Sequence, residues 1–419
     1  MGESREEGMI TRRRLLEVTG AAAALAGSDL SSSLTSVAHA QALTLPPVLP
    51  EGTRGEAFLE TLPGKKPLIK LSYRPPNYET PLSYLGTPIT PNDAFFVRYH
   101  LADIPKVDAK TWRVRLGGEG ANSQAQLSLD DLKALPASEI VAVCQCSGNR
   151  RGLFQPHVPG VEWGYGAMGC ARWKGARLKE VLDRLGLKHE AVEIVFNGAE
   201  GPVVEKTPDF IKSIPVWKAL EDTTLSAYEM NGAPVPHWNG FPARIIVPGW
   251  TGTYWVKHVT SIDAVTKPFD GFWMKSAYRI PLGKFPLVSR FTSQDNASTT
   301  PITEMVVNSL ITSPVADATV KLGSSVTVSG LAWDGGYGIR SVELSVDDGQ
   351  SWTEARLGED LGRFAFRPWK YSFVPHLRGK YVVKARATNQ IGQTQTAQLI
   401  ANPAGYHHNL IQSLALNAA

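Results

Sequence analysis

The apolar positions change period along the chain, and those changes divide it. From Gln41 to about Pro91 the sequence is proline-rich with little periodicity, which predicts an extended arm over 41–90. Trp112-Arg113-Val114-Arg115-Leu116 alternates as a strand does, and Ser128 is placed to cap a short helix through Leu132. Glu139 to Cys144 reads as a buried strand. Leu178, Val181, Leu182 and Leu185 recur at helical spacing and stop at Gly186. Ile194-Val195-Phe196 and Arg244-Ile245-Ile246-Val247 are further strands between Gly- and Pro-rich loops. Residues 91–300 therefore predict an irregular α+β domain.

After Thr299-Thr300-Pro301 short alternating runs take over: Ser325 to Ala332, Ser341 to Val346 and Tyr381 to Ala387, with Asp347-Asp348-Gly349 as a turn. Regular short strands over about a hundred residues predict an all-β immunoglobulin-like sandwich over 301–405, with 406–419 as a C-terminal tail. Such a sandwich ordinarily serves binding or dimerisation.

The first forty residues follow another logic. Arg12-Arg13-Arg14 precede the small apolar run Gly20 to Gly27, and Ala38-His39-Ala40 suits a signal peptidase. Charged start, apolar middle and small-residue exit predict an export signal over 1–40, of twin-arginine type. The run is shorter than the roughly twenty residues that span a bilayer, and an uncleaved anchor is the competing reading. The expected location is the periplasm, with the mature chain starting near Gln41. The twin-arginine route carries folded proteins, so it also hints at a cofactor inserted before export. Elsewhere Pro, Gly or charge interrupts every apolar run.

Composition adds exclusions. A net charge of +4 over 419 residues, with no Lys/Arg-rich stretch, argues against nucleic acid as a partner. Three cysteines, Cys144, Cys146 and Cys170, are too few for a disulfide framework. No Cys-x-x-Cys-His occurs, so this chain attaches no c-type haem and any haem in the pathway belongs to another polypeptide.

Two clusters can carry chemistry. In Val143 to Gly152 a cysteine leaves a buried strand into Ser147-Gly148-Asn149 and meets Arg150 and Arg151. Neighbouring guanidinium groups favour thiolate, a nucleophile or a soft-metal ligand. A buried free cysteine beside surface arginines fits the same residues. In Phe95-Phe96-Val97-Arg98-Tyr99-His100, alternation sends Arg98 and His100 to one side, where with Arg151 they would form a donor-rich pocket for a small oxyanion. A solvated strand face is the plainer alternative.

These segments, together with Ala171 to Leu178, Ala227 to Gly232 and Gly240 to Gly249, resemble in order the molybdenum domain of the sulfite oxidase family. The second region, with Val346 to Trp352, resembles that family's dimerisation domain, and the likeness runs from about Pro91 to Asn402. It implies an α+β molybdopterin-binding domain of sulfite oxidase type followed by the sandwich. It also implies molybdenum on a single pyranopterin dithiolene as the cofactor, with Cys146 as the metal's thiolate ligand. Cys144 has no counterpart role, and Cys170 a structural one. Pterin contacts would come from Phe96, Tyr99, His100, Arg244, Trp255, Val256 and Lys257. The substrate pocket would use Arg98, His100, Arg151, Trp163 and Tyr278, with Arg367 reaching in from the second domain. His237, His407 and His408 match nothing catalytic.

Two departures stand out: Asn239 precedes Gly240-Phe241-Pro242 where animal members have histidine, and the loop 198–213 leaves the family's pterin-contacting acid unplaced. The implied reaction is oxidation of sulfite to sulfate by oxygen-atom transfer, with electrons leaving singly to a periplasmic cytochrome c, and the chain is expected to dimerise through its second domain. Alternatives are a sulfane dehydrogenase subunit of a thiosulfate-oxidising complex, a methionine-sulfoxide reductase, which normally lacks the second domain, and a non-catalytic binding module.

Overall fold

The prolines of the N-terminal segment punctuate short strands. The computed structural model describes residues 41–44, 56–285 and 291–419, so the export-signal reading over 1–40 lies outside the described residues. Gln41–Thr44, Glu56–Thr61, Pro67–Ser72, Asn77–Glu79 and Val97–Arg98 pair in sequence as a five-stranded antiparallel sheet. The expected extended arm is thus a folded layer. Its strands are too short to show alternation, and Pro67 opens one of them, where the missing N–H costs least. The last pairing sets Arg98 opposite Asn77 and so delivers Arg98 from a sheet edge.

Two further sheets build the central domain. One orders Lys212–Pro215, Glu193–Gly198, Val259–Val265, Arg113–Gly117 and Ala125–Ser128, with one parallel pairing, between Val259–Val265 and Arg113–Gly117. The other runs Ala233–Pro234, Leu225–Met230, Met168–Arg177, Ala137–Gln145, with Arg244–Ile246 also on Leu225–Met230. Helices are short. Ser128 caps Leu129–Ala134 with a reciprocal bond to Asp131, and Leu178–Leu182 ends ahead of Gly186, whose φ of +60° suits a residue without Cβ. Between the sheets lies a core rich in tryptophan, including Trp112, Trp163, Trp173, Trp250 and Trp255.

The C-terminal region is all-β. Asn308–Ser313, Val326–Trp333, Arg367–Phe373 and Arg356–Leu357 form one sheet. Ala318–Val320, Gln412–Ala418, Gly379–Asn389, Ile339–Ser345 and Thr353–Glu354 form the other, and both bury residues in one apolar core. The expected tail over 406–419 is corrected here. Gln412–Ala418 lies between Ala318–Val320, which it pairs in parallel, and Gly379–Asn389, which it pairs antiparallel. Its buried positions 412, 414, 416 and 418 alternate, as a half-buried strand requires.

The two regions share a core in which Val143, Met168 and Cys170 pack with Leu310, Leu331, Trp333 and Phe366. Arg150 crosses the same boundary, donating to Asn308 Oδ1 at 2.7 Å and to the Ser309 carbonyl at 2.8 Å. Among the described residues no helix is long and apolar enough to cross a membrane.

Candidate active site

Cys146 sits where the buried strand Ala137–Gln145 ends. The turn that presents it is held from inside: Cys146 N–H donates to Ala167 O, Asn149 N–H to Cys146 O, and Ala167 N–H to Asn149 Oδ1. Ser147 Oγ donates to Thr251 Oγ1 at 2.9 Å. At Gly148 a Cβ would meet the Arg151 guanidinium at 2.6 Å, so any side chain there would have to push that group aside. Arg150 takes φ +67° in the next step of the turn.

The turn opens into a solvent-connected cavity lined by Cys146, Arg98, His100, Tyr278, Phe96, Arg244, Trp255 and Lys257. These are eight of the residues named from sequence. Cys144, two positions before Cys146 on the same strand face, also lines it. Burial pushes the Cys144 thiol up to about 11, so it stays protonated near neutrality, beside Arg244. Cys170, in the shared core, is pushed up to about 12 and does not line this cavity. All three cysteines are free and buried.

Along one wall stand Arg98, Tyr278 and His100. Arg98 donates to Asn77 Oδ1 and to the Tyr99 carbonyl, and its charge acts on Tyr278, Cys146 and Glu200. His100 Nε2 bonds the Tyr278 hydroxyl, while its ring stacks on Phe210 with centroids 3.5 Å apart. Burial, reinforced by Arg98, Lys257 and Lys212, holds His100 well below the usual histidine range, so the ring is neutral. Burial raises Tyr278 above the usual phenol value, so its hydroxyl keeps the proton. Tyr278 holds φ +59°, an uncommon conformation for a bulky residue and one that its surroundings must enforce.

On another wall the donors outnumber their partners. Arg244 gives Nη1 to Asn239 O and Nη2 to Trp255 O, yet its Nε has no partner, nor have Thr253 Oγ1 and Lys257 Nζ. Lys257 Nζ lies over the Tyr99 ring, and burial lowers its pKa to about 7, partly opposed by Glu200. Buried donors without acceptors are costly in a finished core. Three of them, two cationic, beside one cavity fit an anionic group such as a pterin phosphate, and the Cys146 thiol fits a soft metal.

Five predicted residues do not line the cavity. Tyr99 turns away, bonding His258 Nε2 at 2.7 Å, as alternation against Arg98 and His100 requires. Val256 packs into the core and Trp163 stands behind Phe96, edge-on at 6.4 Å. Arg151 bonds the carbonyls of Ala404 (2.9 Å) and Val161 (3.3 Å), and its guanidinium lies 5.2 Å from the Tyr406 ring centre. Arg367 ion-pairs with Asp360 at 2.9 Å within the second domain, and its buried Nε has no hydrogen-bond partner there.

Sequence reasoning missed Glu200, Phe210, Trp238 and Thr253. Glu200 lies in the unplaced loop and accepts from the backbone N–H groups of His100 (3.1 Å) and Leu101 (3.3 Å). An acid near a cationic motif was the available signal, but the fold alone brings it within reach. Asn239, the departure before Gly240, lines the cavity and takes a bond from Lys65 Nζ at 2.6 Å while donating to Phe96 O. His407 and His408 are buried away from the cavity, and burial pushes both down to about 3.

Comparison with known proteins places this geometry. A family model described as "Oxidoreductase molybdopterin binding domain" matches residues 100–273, and one described as "Mo-co oxidoreductase dimerisation domain" matches 299–413. Human mitochondrial sulfite oxidase is 36% identical over 321 residues, covering 74% of this chain and 57% of that protein. Sulfite oxidase of Arabidopsis thaliana is 32% identical over 327 residues, covering 74% and 81%. The chain thus spans little more than half the length of the mitochondrial relatives and most of the plant one. Among solved structures, the sulfane dehydrogenase SoxCD of Paracoccus pantotrophus superposes with a TM-score of 0.71 at 22% identity, covering 97% of each chain, a likeness of fold.

Proposed function

We propose that this chain, which belongs to the sulfite oxidase family, oxidises sulfite to sulfate. Its cofactor is molybdenum held by molybdopterin. The observation that carries the reading is one cavity where Cys146 faces Arg98, His100 and Tyr278, beside the partnerless donors of Lys257, Arg244 and Thr253.

Cys146 would hold the metal. Lys257, Arg244 and Thr253 would meet the pterin's phosphate, with Phe96 and Trp255 against its rings. When bound, the cofactor supplies oxygen-atom transfer and takes up the electron pair. Overall, sulfite gains one oxygen from water and gives up two electrons, and that water releases two protons. The chain's own residues bind and orient. Arg98, always charged, holds the anion's oxygens beside the metal position. The Tyr278 hydroxyl, fixed by neutral His100, supplies a directed hydrogen bond, and a neutral ring there can receive a proton that a charged one could not. Fixed donors that need no reorganisation are the protein's main contribution to such a step.

The electrons would pass singly to a c-type cytochrome acting as a separate partner. Export by the leader over 1–40 would place both partners in the periplasm. The match to a dimerisation model over 299–413 supports a homodimer through the second domain.

The competing reading is a sulfane dehydrogenase, and substrate separates the two. Molybdenum-loaded protein supplied with sulfite or with thiosulfate, and with excess cytochrome c, is expected to form sulfate from sulfite alone. Sulfate from thiosulfate, with sulfite inert, would replace the proposal with the sulfane reading.

A further inference from the structure

The second domain does reach the cavity wall, by a different route from Arg367. Between Gly379–Asn389 and Gln412–Ala418 the chain returns to the central domain, and Tyr406 packs in one apolar cluster with Leu101, Phe210 and Tyr278. The Tyr406 and Tyr278 rings stack nearly parallel, 9° apart in plane with centroids at 5.6 Å. The Arg151 guanidinium lies 5.2 Å from the Tyr406 ring centre, and Arg151 Nε donates to Ala404 O at 2.9 Å.

The turn that carries Tyr406 is tightly determined. Asn402 accepts from Tyr406 N–H at 3.0 Å and donates to its carbonyl at 2.9 Å, and Gly405 N–H donates to Asn402 O. At Gly405, where φ is +60°, a Cβ would fall 2.4 Å from Val158 Cγ2 and 2.9 Å from Arg151 Cγ. Tyr406 itself is 7% exposed. Tyr278, in contrast, holds its left-handed backbone with hydrogen bonds to His100 and Arg98 and its packing keeping the hydroxyl aimed.

We propose that Tyr406 is a positioning residue: its ring, braced by Arg151, is the surface that fixes Tyr278 at the cavity wall and so sets oxyanion affinity. The inference rests on the sulfite-oxidising reading for the nature of the oxyanion. It gives Arg151 a task consistent with its position outside the cavity, since a cation against an aromatic face stabilises both. It also ties the site to docking of the second domain.

The test uses the molybdenum-loaded full chain and its Tyr406→Phe and Tyr406→Ala variants. Sulfate binding is measured by calorimetry, alongside KM and kcat for sulfite and the melting temperature. Tyr406→Ala is expected to weaken sulfate binding about tenfold, the scale of a lost aromatic stack and cation–π contact. KM should rise in parallel, with kcat changed much less. Tyr406→Phe keeps the ring and should stay close to wild type. Should the alanine variant not fold, Tyr406→Leu carries the same comparison without an aromatic face. Unchanged sulfate affinity in the alanine or leucine variant, even with a lower melting temperature, would overturn the inference. So would equal losses in Tyr406→Phe, or a wild-type chain that binds no sulfate. Wild-type protein that binds sulfate but does not turn over sulfite would instead remove the proposed function, leaving the binding comparison to decide the role of Tyr406.

Discussion

Cys146→Ser is expected to abolish turnover and leave a folded protein. The side chain is buried, sits at the end of a buried strand and is presented by a turn held by hydrogen bonds of the backbone, Asn149 and Ser147. Exchanging sulfur for oxygen there changes volume slightly, so the turn should persist. A serine hydroxyl stays protonated at neutral pH and is a poor ligand for a soft site. As the single metal ligand proposed for this chain, Cys146 should cost far more than the ~10–100-fold typical of a lost outer partner. Cys144→Ser supplies the contrast. That thiol lines the same cavity but stands on the strand before the turn that presents Cys146, and burial holds it protonated, with a pKa of about 11. Its replacement should be mild. Circular dichroism would establish folding, metal analysis the molybdenum content, and steady-state rates the loss. Equal losses in both variants would contradict the choice of Cys146.

Arg98→Gln is expected to give the second-largest effect. Arg98 comes off the edge of the N-terminal sheet, is anchored to Asn77, and its charge acts on Tyr278, Cys146 and Glu200. Removing a fixed cation that faces a reacting anion should lower kcat/KM by about 10²–10³. Arg98→Lys keeps the charge but loses the planar fork and should fall between. The glutamine variant should also shift the pH dependence. Arg98 is among the cations that hold His100 below its usual range. Without it the His100 pKa moves upward, although burial, the larger cause, together with Lys257 and Lys212 still holds it down, so the ring protonates at a higher pH than in the wild type and the bond to Tyr278 changes character there. The acid-side loss of activity should therefore begin at a higher pH in the variant than in the wild type. Parallel pH profiles for the two proteins would contradict this arrangement.

Much of the site was legible because its chemistry sits in short contiguous runs. A cysteine leaving a buried strand into Ser147-Gly148-Asn149 could be read directly, and the alternation over Phe95 to His100 put Arg98 and His100 on one side. That same alternation points Tyr99 the other way, so including it among the cofactor contacts ran against its own strand. Arg151 and Arg367 show the limit of reading charge: a sequence shows that a guanidinium exists, and only the fold shows that carbonyls of Ala404 and Val161, or Asp360, have taken it. The N-terminal sheet was hidden because its strands are only a few residues long and separated by proline. The final strand was hidden by alanines and an asparagine between its leucines, a pattern with little contrast. Glu200 and Tyr406 come from loops whose position depends on contacts across about a hundred residues or more, which no local pattern encodes.

The most direct measurement is sulfite-dependent reduction of a c-type cytochrome by the purified chain, with and without molybdenum loading. The account predicts rapid reduction by the loaded protein, none by the metal-free protein, and none by loaded Cys146→Ser. A fully loaded wild-type protein that leaves the cytochrome oxidised in the presence of sulfite would contradict it.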